Sequence, residues 1–365
     1  MNGDFLRAAQ ASGDHWGTLA KAVLTALGPL PMDVNFGLAY VTVELAEHLS
    51  SIITFLRETT PIKRWTVAVG AGLIGPISVV RGRPSLAVLA GRLPADSFRH
   101  LDSWHEPERT QFLQKHGEWL AQQAMAVALV HGDMHEPDLP AMVQDLSAAT
   151  ASFAVGGAVP AQARGMGGVL LGTPLALVTG LTQGCQPLGD SHRVTEARDD
   201  VIMALDGRPA LEVMKEIIGP ELARDLRRAA GFIHVGLPVA GADRNDYLVR
   251  PLIAIDPARG WLAVNARMSV GDRLMFVRRD GEGARRDMNR MLADVAQRSA
   301  GRKVLGGVYV SCLARGEAMF GTDDTETIMI KNSLGEFPMI GIIGHGEFCH
   351  DRIYSYTGVL ALLLS

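Results

Sequence analysis

Two histidines near the middle of the chain could ligate a metal ion. His131 and His135 are four residues apart, with Asp133 between them. On a helix, that spacing would place both imidazoles on one face, as a metal site requires. Gly132 and Pro137 disfavour a helix here, so the sequence predicts a solvated loop and no metal site.

A second group of reactive side chains lies in the last sixty residues. Cys312 follows an apolar strand pattern, Arg315 could stabilise its thiolate, and His345 could act as its base. His345 and Cys349 are four residues apart, but the local pattern indicates a turn. The sequence contains neither a C-x-x-C pair nor a C-x-x-C-H haem attachment motif. Because a strand cysteine is more commonly a buried, inert thiol, we expect no catalysis. A Cys312-dependent enzyme and a haem-binding gas sensor remain the alternatives.

Glycine-rich turns follow two of the apolar strand patterns. Gly70, Gly72 and Gly75 match the spacing of dinucleotide sites, which also require a helix to follow. A proline and a strand-like pattern come next, so we do not expect dinucleotide binding. Gly156 and Gly157 end another strand pattern in a similar turn. Since clefts form at strand ends in α/β sheets, both turns could let a ligand approach the backbone.

Strand and helix patterns alternate along most of the chain. Residues 5–27 carry a helical spacing of apolar side chains. A strand at 123–133, a helix at Leu139–Ala149 and a strand from Ser152 form a unit whose strands should be parallel. Beyond residues 237–246, which are rich in Gly, Pro and Asp, the alternation resumes. The sequence predicts an α/β fold of two domains, each a mixed sheet covered by helices.

Composition narrows the class of protein. The chain has 365 residues, 47% hydrophobic and 20% charged, which suits two buried cores. Its formal net charge of -4, without long runs of one sign, gives no electrostatic attraction for nucleic acid. No signal peptide and no apolar run of transmembrane length are apparent. Three cysteines, an odd number, fit a reducing compartment. We expect a cytoplasmic protein with no nucleic-acid or membrane partner.

Several motifs, in one order, resemble those of the FIST family. In the N-terminal part they are Asn35–Val41, Trp65, Gly70–Gly75, Phe153–Gly157, Thr182–Gly189 and His192–Thr195. In the C-terminal part they are Tyr247–Arg250, Gly271–Asp280, Ser311–Gly316, Met319–Gly321, Phe337–Gly341, Gly346–Glu347 and Tyr354–Leu360. The resemblance implies a FIST N-terminal domain at 33–235 and a FIST C-terminal domain at 236–360.

The resemblance also implies a function. Family members are regarded as bacterial and eukaryotic sensory modules for small ligands, suggested to include amino acids. They occur alone, beside histidine kinases or cyclic-nucleotide enzymes, or behind an F-box, and some are linked to haem and nitric oxide sensing. This chain resembles the stand-alone form. Its output would pass through a signalling partner such as a histidine kinase, or through conformation alone.

Two departures from the family pattern leave the identity of the ligand open. His345 stands where the family usually has asparagine before the Gly-Glu motif, and would favour an anionic or metal-bearing ligand. In the glycine turn, Ala71, Leu73 and Ile74 replace residues that are typically serine or glycine.

We expect the ligand to bind in a cleft between or beside the domains. The predicted lining residues are Gly70, Gly72, Gly156, Gly157, Arg250, Cys312, Arg315, His345, Glu347 and Tyr356. Backbone N–H groups and an arginine would hold a carboxylate, and Glu347 would pair with an ammonium group. This arrangement predicts binding without catalysis.

Overall fold

The computed structural model describes residues 3–162, 165–239 and 246–365. It divides into two compact units, one formed by Met1–Thr182 with Met288–Ser365 and the other by Gln183–Asp287. The predicted domain boundary at 235/236 remains a prediction. The predicted boundary segment 237–246 lies partly outside the described residues.

Helices and mixed sheets confirm the predicted α/β class. The helices are α1 (Trp16–Leu27), α2 (Leu49–Thr59), α3 (Glu108–Ala121), α4 (Leu139–Thr150), α5 (Ala210–Ala223), α6 (Leu226–Phe232), α7 (Gly281–Ser299), α8 (Glu317–Phe320) and α9 (Thr325–Leu334), with a 3-10 helix at Val43–His48. The strands of the first half are β1 (Phe5–Ser12), β2 (Phe36–Thr42), β3 (Thr66–Gly70), β4 (Gly72–Ile74), β5 (Val79–Arg81), β6 (Ser85–Arg92), β7 (Phe98–Leu101), β8 (Ala126–Asp133), β9 (Ser152–Val159), β10 (Met166–Leu171) and β11 (Ala176–Gln183). The remaining strands are β12 (Cys185–Pro187), β13 (His192–Arg198), β14 (Val201–Leu205), β15 (Arg208–Pro209), β16 (Ile233–Pro238), β17 (Tyr247–Asp256), β18 (Trp261–Val264), β19 (Arg273–Arg279), β20 (Val304–Cys312), β21 (Met339–Gly344), β22 (Gly346–His350), β23 (Arg352–Tyr354) and β24 (Thr357–Leu364).

One order of elements occurs three times in the first unit. Each repeat contains a parallel strand pair joined by a helical segment: β2 with β3, β8 with β9, and β20 with β21. An antiparallel strand then returns beside the first strand of each pair, namely β6, β10 and β24. Next to these lie β1, β7 and β11. Each repeat thus builds its own mixed sheet, with the parallel geometry predicted for β8 and β9.

Each of these sheets buries one face against two helices. Apolar side chains of α1 and α2 pack on the first sheet, those of α3 and α4 on the second, and those of α7 and α9 on the third. Helix α2 shows why: Ile52 and Leu56, one helical turn apart, are both fully buried. Apolar spacing of this kind gives a helix one face for the core.

Each sheet is also extended by a segment from another repeat. Strand β4 pairs with β21, β22 pairs with β9, and Ala161 forms a bridge with β3. The matching register pairs are Ile343 with Gly72, Ala158 with Gly346, and Val69 with Ala161. The first repeat therefore completes the sheet of the third repeat, and the third repeat completes the sheet of the second. The second repeat contacts the sheet of the first. We call these three places the junctions.

Glycine is required where β9 passes between its neighbours. Gly156 has a φ of 150°, and a Cβ atom there would lie 1.6 Å from the carbonyl oxygen of Val130. No side chain can be accommodated at that distance without moving β8. At Gly157, the nearest atoms to such a Cβ are 3.0 and 3.1 Å away. The two predicted ligand-contacting glycines thus permit close strand packing, as a tight backbone approach requires.

The second unit contains a sheet that closes on itself. Strands β13, β14, β18, β17, β16 and β19 follow one another around the ring, and β19 pairs with both β16 and β13. All of these pairs are antiparallel. Buried side chains of the ring pack with those of α5 and α6, including Leu211, Met214 and Ala229.

The predicted helix at residues 5–27 is wrong in its first half. Residues Phe5–Ser12 form β1, and only Trp16–Leu27 is helical. Every residue of β1 pairs with β6, from Phe5 with Arg92 to Ser12 with Ser85. Pairing along a whole strand outweighs a weak local helical spacing.

His131 also differs from its prediction. It lies within β8, fully buried, and not in a solvated loop. Its Nε2 lies 3.0 Å from the hydroxyl oxygen of Tyr40, and the two rings meet edge to face. Burial lowers the pKa of His131 to about 4, so the imidazole is neutral at pH 7. His135 is exposed, as expected.

The glycine turn at Gly70–Gly75 agrees with its prediction. Strand β3 leads through this turn into β4, and no helix opens there. The helix N-terminus that a dinucleotide pyrophosphate needs is therefore missing at this position. A separate property concerns membranes. Within residues 3–162, 165–239 and 246–365, no helix has both the length and the apolar character needed to span a bilayer.

Candidate functional site

Polar side chains converge at the carboxyl end of β20. We call them the β20 cluster, which comprises Tyr309, Ser311, Cys312, Arg315, Glu326, Glu347, Tyr356 and Thr357. Strand β20 supplies the first three, the following turn supplies Arg315, α9 supplies Glu326, β22 supplies Glu347, and β24 begins with Thr357. Four of the ten predicted site residues, Cys312, Arg315, Glu347 and Tyr356, therefore lie in one cluster.

An ion pair occupies the interior of the β20 cluster. Arg315 Nε donates to Glu326 Oε1 at 2.7 Å, and the two side chains are 0% and 5% exposed. Tyr309 donates to the same carboxylate at 2.6 Å and Ser311 at 2.7 Å. Burial alone would lower the pKa of Arg315, but the Glu326 carboxylate outweighs it and holds the pKa above its usual value. The guanidinium is therefore charged at every relevant pH.

Arg315 also links the ion pair to the chain segment before β24. Its Nη1 donates to the backbone oxygen of Tyr356 at 3.1 Å, and its guanidinium carbon lies 5.1 Å from the centre of the Phe320 ring. Its Nη2 is buried, and it has no hydrogen-bond partner among the described residues.

Glu347 is the second buried acid of the cluster. Its Oε2 accepts from Thr357 Oγ1 at 2.7 Å and from Thr357 N at 3.3 Å. Its Oε1 is buried without a hydrogen-bond partner in the described part of the chain. Burial raises the pKa of Glu347 to about 8, against the opposing effects of Thr357, Arg315 and the nearby Cys312 thiol. At pH 7 most molecules therefore carry a protonated Glu347.

Cys312 is a protonated thiol in this environment. Burial, reinforced by Glu347, raises the pKa of Cys312 to about 12. The backbone N–H of Tyr356 donates to its sulfur at 3.4 Å. A thiol with a raised pKa carries little thiolate at neutral pH.

The β20 cluster is closed to solvent. Cys312 is 5% exposed, and Tyr309, Ser311, Arg315, Glu326, Glu347 and Thr357 are 0 to 3% exposed. Tyr356 alone among its members is half-buried. A ligand can therefore reach the buried polar atoms only when the surrounding segments move.

Other predicted site residues lie at or near the junctions. Gly157 pairs directly with Glu347, and Gly156 pairs with Phe348. His345 lies between β21 and β22 with an exposed side chain, and its backbone N–H donates to Ala158 at 2.8 Å. This places Gly157 beside the β20 cluster, while the His345 imidazole faces solvent.

Gly70 and Gly72 belong to a different junction. Gly72 pairs with Ile343 on β21, and a Cβ atom at Gly70 would lie 2.3 Å from a side-chain carbon of Ile342. Their equivalents in the third repeat are Gly344 and Gly346, which pair with Cys312 and Ala158. The two glycines predicted as ligand contacts thus pack against the neighbouring sheet.

Arg250 lies in the second unit, on β17. It is half-buried, its Nη1 donates to the backbone oxygen of Val249 at 3.0 Å, and burial lowers its pKa. A shared site with the β20 cluster and a cleft between the domains both remain predictions.

Sequence reasoning missed half of the β20 cluster. Tyr309 and Glu326 were not predicted, and Ser311 and Thr357 appeared only within family motifs. Tyr309 and Ser311 alternate on a buried strand, a spacing that places both side chains on one face. Nothing in the local sequence connects that face with Glu326 on α9, since only the packing of α9 on the sheet brings them together.

Metal binding has no geometric support in the described residues. Within residues 3–162, 165–239 and 246–365, no group of three or more His, Cys, Asp or Glu side chains is arranged to hold a metal ion. Cys185, Cys312 and Cys349 are buried, and none of them forms a disulfide within the described part of the chain.

Comparisons with known proteins agree with the sequence motifs. The FIST N domain matches residues 35–208, and the FIST C domain matches residues 210–350. An uncharacterized protein of Mycobacterium tuberculosis is 30% identical over 195 residues, 51% of each chain. An uncharacterized protein of Mycobacterium bovis is 30% identical over 193 residues, 50% of each chain. The chain thus spans about half the length of the curated relatives it matches. Because the two domain matches follow one another over most of its length, the chain belongs to the FIST family.

Proposed function

We propose that this chain senses a small ligand and passes the signal on without transforming the ligand. FIST domains are sensory domains of signal transduction, which supports the sensory role. Ligand binding, the choice of an amino acid and a histidine kinase as partner are our proposals.

The observation that carries the proposal is a pair of buried, unpartnered polar atoms in the β20 cluster. Arg315 Nη2 and Glu347 Oε1 have no hydrogen-bond partner among the described residues. A buried polar group without a partner costs about 1–3 kcal/mol, so natural proteins rarely keep two of them in one cluster without a reason. A ligand that bonds to both atoms would recover this free energy on binding.

A free amino acid has the charges that this pair of atoms would recognise. Its carboxylate would accept from Arg315 Nη2, where a charge-assisted hydrogen bond is stronger than a neutral one. Its ammonium group would pair with Glu347 once that acid has lost its proton. Since burial raises the pKa of Glu347 to about 8, binding at pH 7 would release a proton, and affinity would increase as the pH rises toward 8.

Closure of the β20 cluster would convert binding into a signal. The ligand enters only if the segment around Tyr356 or the turn after β20 moves, because the other side chains of the cluster are buried. The open and closed forms would then differ in affinity, which is what a conformational response requires.

Two alternatives to ligand sensing remain as hypotheses. The first is an enzyme that uses Cys312 as its nucleophile, and the second is a haem-binding gas sensor. The pKa of about 12 for the Cys312 thiol supports a role without nucleophilic attack. For haem, the sequence contains no C-x-x-C-H attachment motif.

A thermal-shift screen of the free amino acids tests the proposed sensing. We expect at least one of them to stabilise the protein by about 2.7 kcal/mol at a hundred times its dissociation constant. For a protein of this size, that corresponds to an increase in Tm of roughly 3–5 °C.

Two variants locate the response in the β20 cluster. Glu347→Gln removes the carboxylate and should abolish the shift, whereas Glu317→Gln, at an exposed glutamate two residues after Arg315, should retain it. An equal shift in wild type and Glu347→Gln would contradict the assigned site. A complete absence of shifts would contradict amino-acid sensing.

A further inference from the structure

The three junctions of the first unit differ in how much of a strand edge they cover. Strands β21 and β9 are paired along their outer edges by β4 and β22. The corresponding edge of β3 receives one bridge, between Val69 and Ala161. The connecting segment of the second repeat, residues 160–165, is shorter than its equivalents at 71–84 and 345–356. Within the described residues, the start of β3 therefore has a strand partner on one side only.

A cavity of about 260 Å³ lies beside this uncovered edge. Trp65, Thr66 and Val67 line it from β3 and the residue before, while His100 and Asp102 line it from β7 and the residue after. Arg64 also contributes. A second cavity of about 130 Å³ shares Arg64, His100 and Asp102 with the first. Among the described residues, no strand takes the place at the second junction that β4 and β22 take at the other two.

Trp65 lines this cavity and carries a buried donor. The residue is 8% exposed, and its Nε1 has no hydrogen-bond partner among the described residues. The six-membered part of its indole lies against Gly37, where any Cβ atom would be within 2.6 to 2.9 Å of three ring carbons. This packing holds the ring in place, so Nε1–H is a preorganised donor.

Two other buried indoles show what is unusual about Trp65. Trp104 Nε1 donates to Asp145 Oδ2 at 2.8 Å, and Trp119 Nε1 donates to Asp96 O at 2.6 Å. A buried indole N–H usually has such a partner. Trp65 lines a cavity instead, and a ligand in that cavity would supply the missing acceptor.

The charges around the cavity select the kind of acceptor. Arg64 forms a half-exposed ion pair with Asp102 at 2.5 Å and has further N–H groups available for a ligand. His100 lies 3.1 Å from Thr66 Oγ1, and burial lowers its pKa to about 4, so it is neutral at pH 7. Asp102 offsets the charge of Arg64 in the same cavity, but the remaining N–H groups of the guanidinium and the indole N–H are all donors, which favours a carboxylate over a cation.

We propose that this cavity binds a small carboxylate, which accepts a hydrogen bond from Trp65 Nε1 and is paired with Arg64. This second site goes beyond the proposed sensing at the β20 cluster, because it involves none of the same residues.

Indole N–H signals in a two-dimensional proton–nitrogen NMR spectrum test the proposal directly. The probes are acetate, propionate and benzoate, each with its neutral amide as the matched control, at constant ionic strength. We expect a carboxylate to shift the Trp65 signal downfield and saturably, while the signals of Trp104 and Trp119 stay in place. The amides should produce a much smaller shift.

Variants assign the signal and separate the two sites. Trp65→Phe should remove the responding signal, and Arg64→Gln, at a half-exposed position, should weaken the apparent affinity about fivefold. If Trp65→Phe does not fold, the perturbation of one indole signal by Arg64→Gln identifies Trp65. Glu347→Gln should leave the titration unchanged, so failure at one site does not imply failure at the other.

Three outcomes would overturn the proposal. The Trp65 signal could fail to move with any of the three carboxylates. It could move together with the Trp104 and Trp119 signals, which would indicate a general salt effect. It could also respond equally to amides and acids, which would remove the role of charge and of Arg64.

Discussion

Replacing Arg315 by methionine should lower the free energy of unfolding by about 3–5 kcal/mol, because it leaves the buried Glu326 without its counter-ion. The Arg315–Glu326 pair is almost completely shielded from water, with side chains 0% and 5% exposed. Two neutral donors, Tyr309 and Ser311, would remain on the carboxylate. They satisfy its oxygens but cannot neutralise its charge. Urea denaturation at neutral pH, with the slope checked for two-state behaviour, measures the loss.

A surface pair and a double variant provide the controls for Arg315. Arg298 donates to Asp294 at 2.6 Å, but these side chains are 44% and 51% exposed, so Arg298→Met should cost little. Adding Glu326→Gln to Arg315→Met should restore part of the lost stability, since no charge is then left buried without a partner. If Arg315→Met is as mild as Arg298→Met, the buried ion pair does not stabilise the fold in the way described.

The second large effect is a dependence of stability on pH through Glu347. Burial raises the pKa of this acid from 4.5 to about 8. Between these values the unfolded chain has released the proton while the folded protein retains it. The free energy of unfolding therefore falls as the pH rises from about 4.5 to 8, by up to about 5 kcal/mol, and becomes level above that range. Glu347→Gln should remove this fall.

Comparison of the two proteins isolates this effect from other titrating groups. His100, His131 and His234 have pKa values lowered to about 4 by burial. They act in the opposite direction, because their stabilising contribution is lost as the pH falls from 6.5 toward 4. Subtracting the free energy of unfolding of Glu347→Gln from that of the wild type cancels the contributions of these histidines. In urea titrations from pH 4.5 to 8, the wild type should steadily lose stability relative to Glu347→Gln as the pH rises.

The exposed Glu317 again provides the matched control. Glu317→Gln should give a stability curve parallel to that of the wild type throughout this range. A difference between wild type and Glu347→Gln that stays constant with pH would mean that Glu347 is ionised in the folded protein, contrary to the raised pKa.

Local spacing in the sequence predicted several elements of the fold correctly. The predicted helix Leu139–Ala149 lies within α4, which ends one residue later, and the predicted parallel arrangement of β8 and β9 is confirmed. Residues 5–12 were predicted to be helical, but in so short a segment their apolar positions suit both the helical period of 3.6 residues and the strand period of 2. Their pairing with β6 decides in favour of a strand, and such long-range pairing has no local signal.

The candidate site was predictable where strand ends determine it. Cys312 and Glu347 lie close together because β22 starts where β21, the parallel partner of β20, ends. Glu326 could not be inferred, because its role depends on which face of α9 meets the sheet. The closure of the cluster also depends on packing, which residue types at strand ends do not specify.

The crossed junctions have a consequence for how the protein is made. Strand β4 leaves the ribosome early, yet its partner β21 is translated only after all of the second unit. Until then, a nascent chain holds two nearly finished repeats and a hairpin with an open backbone edge, which is a natural target for mispairing with other chains. Productive folding of this unit is therefore tied to the translation of its third repeat.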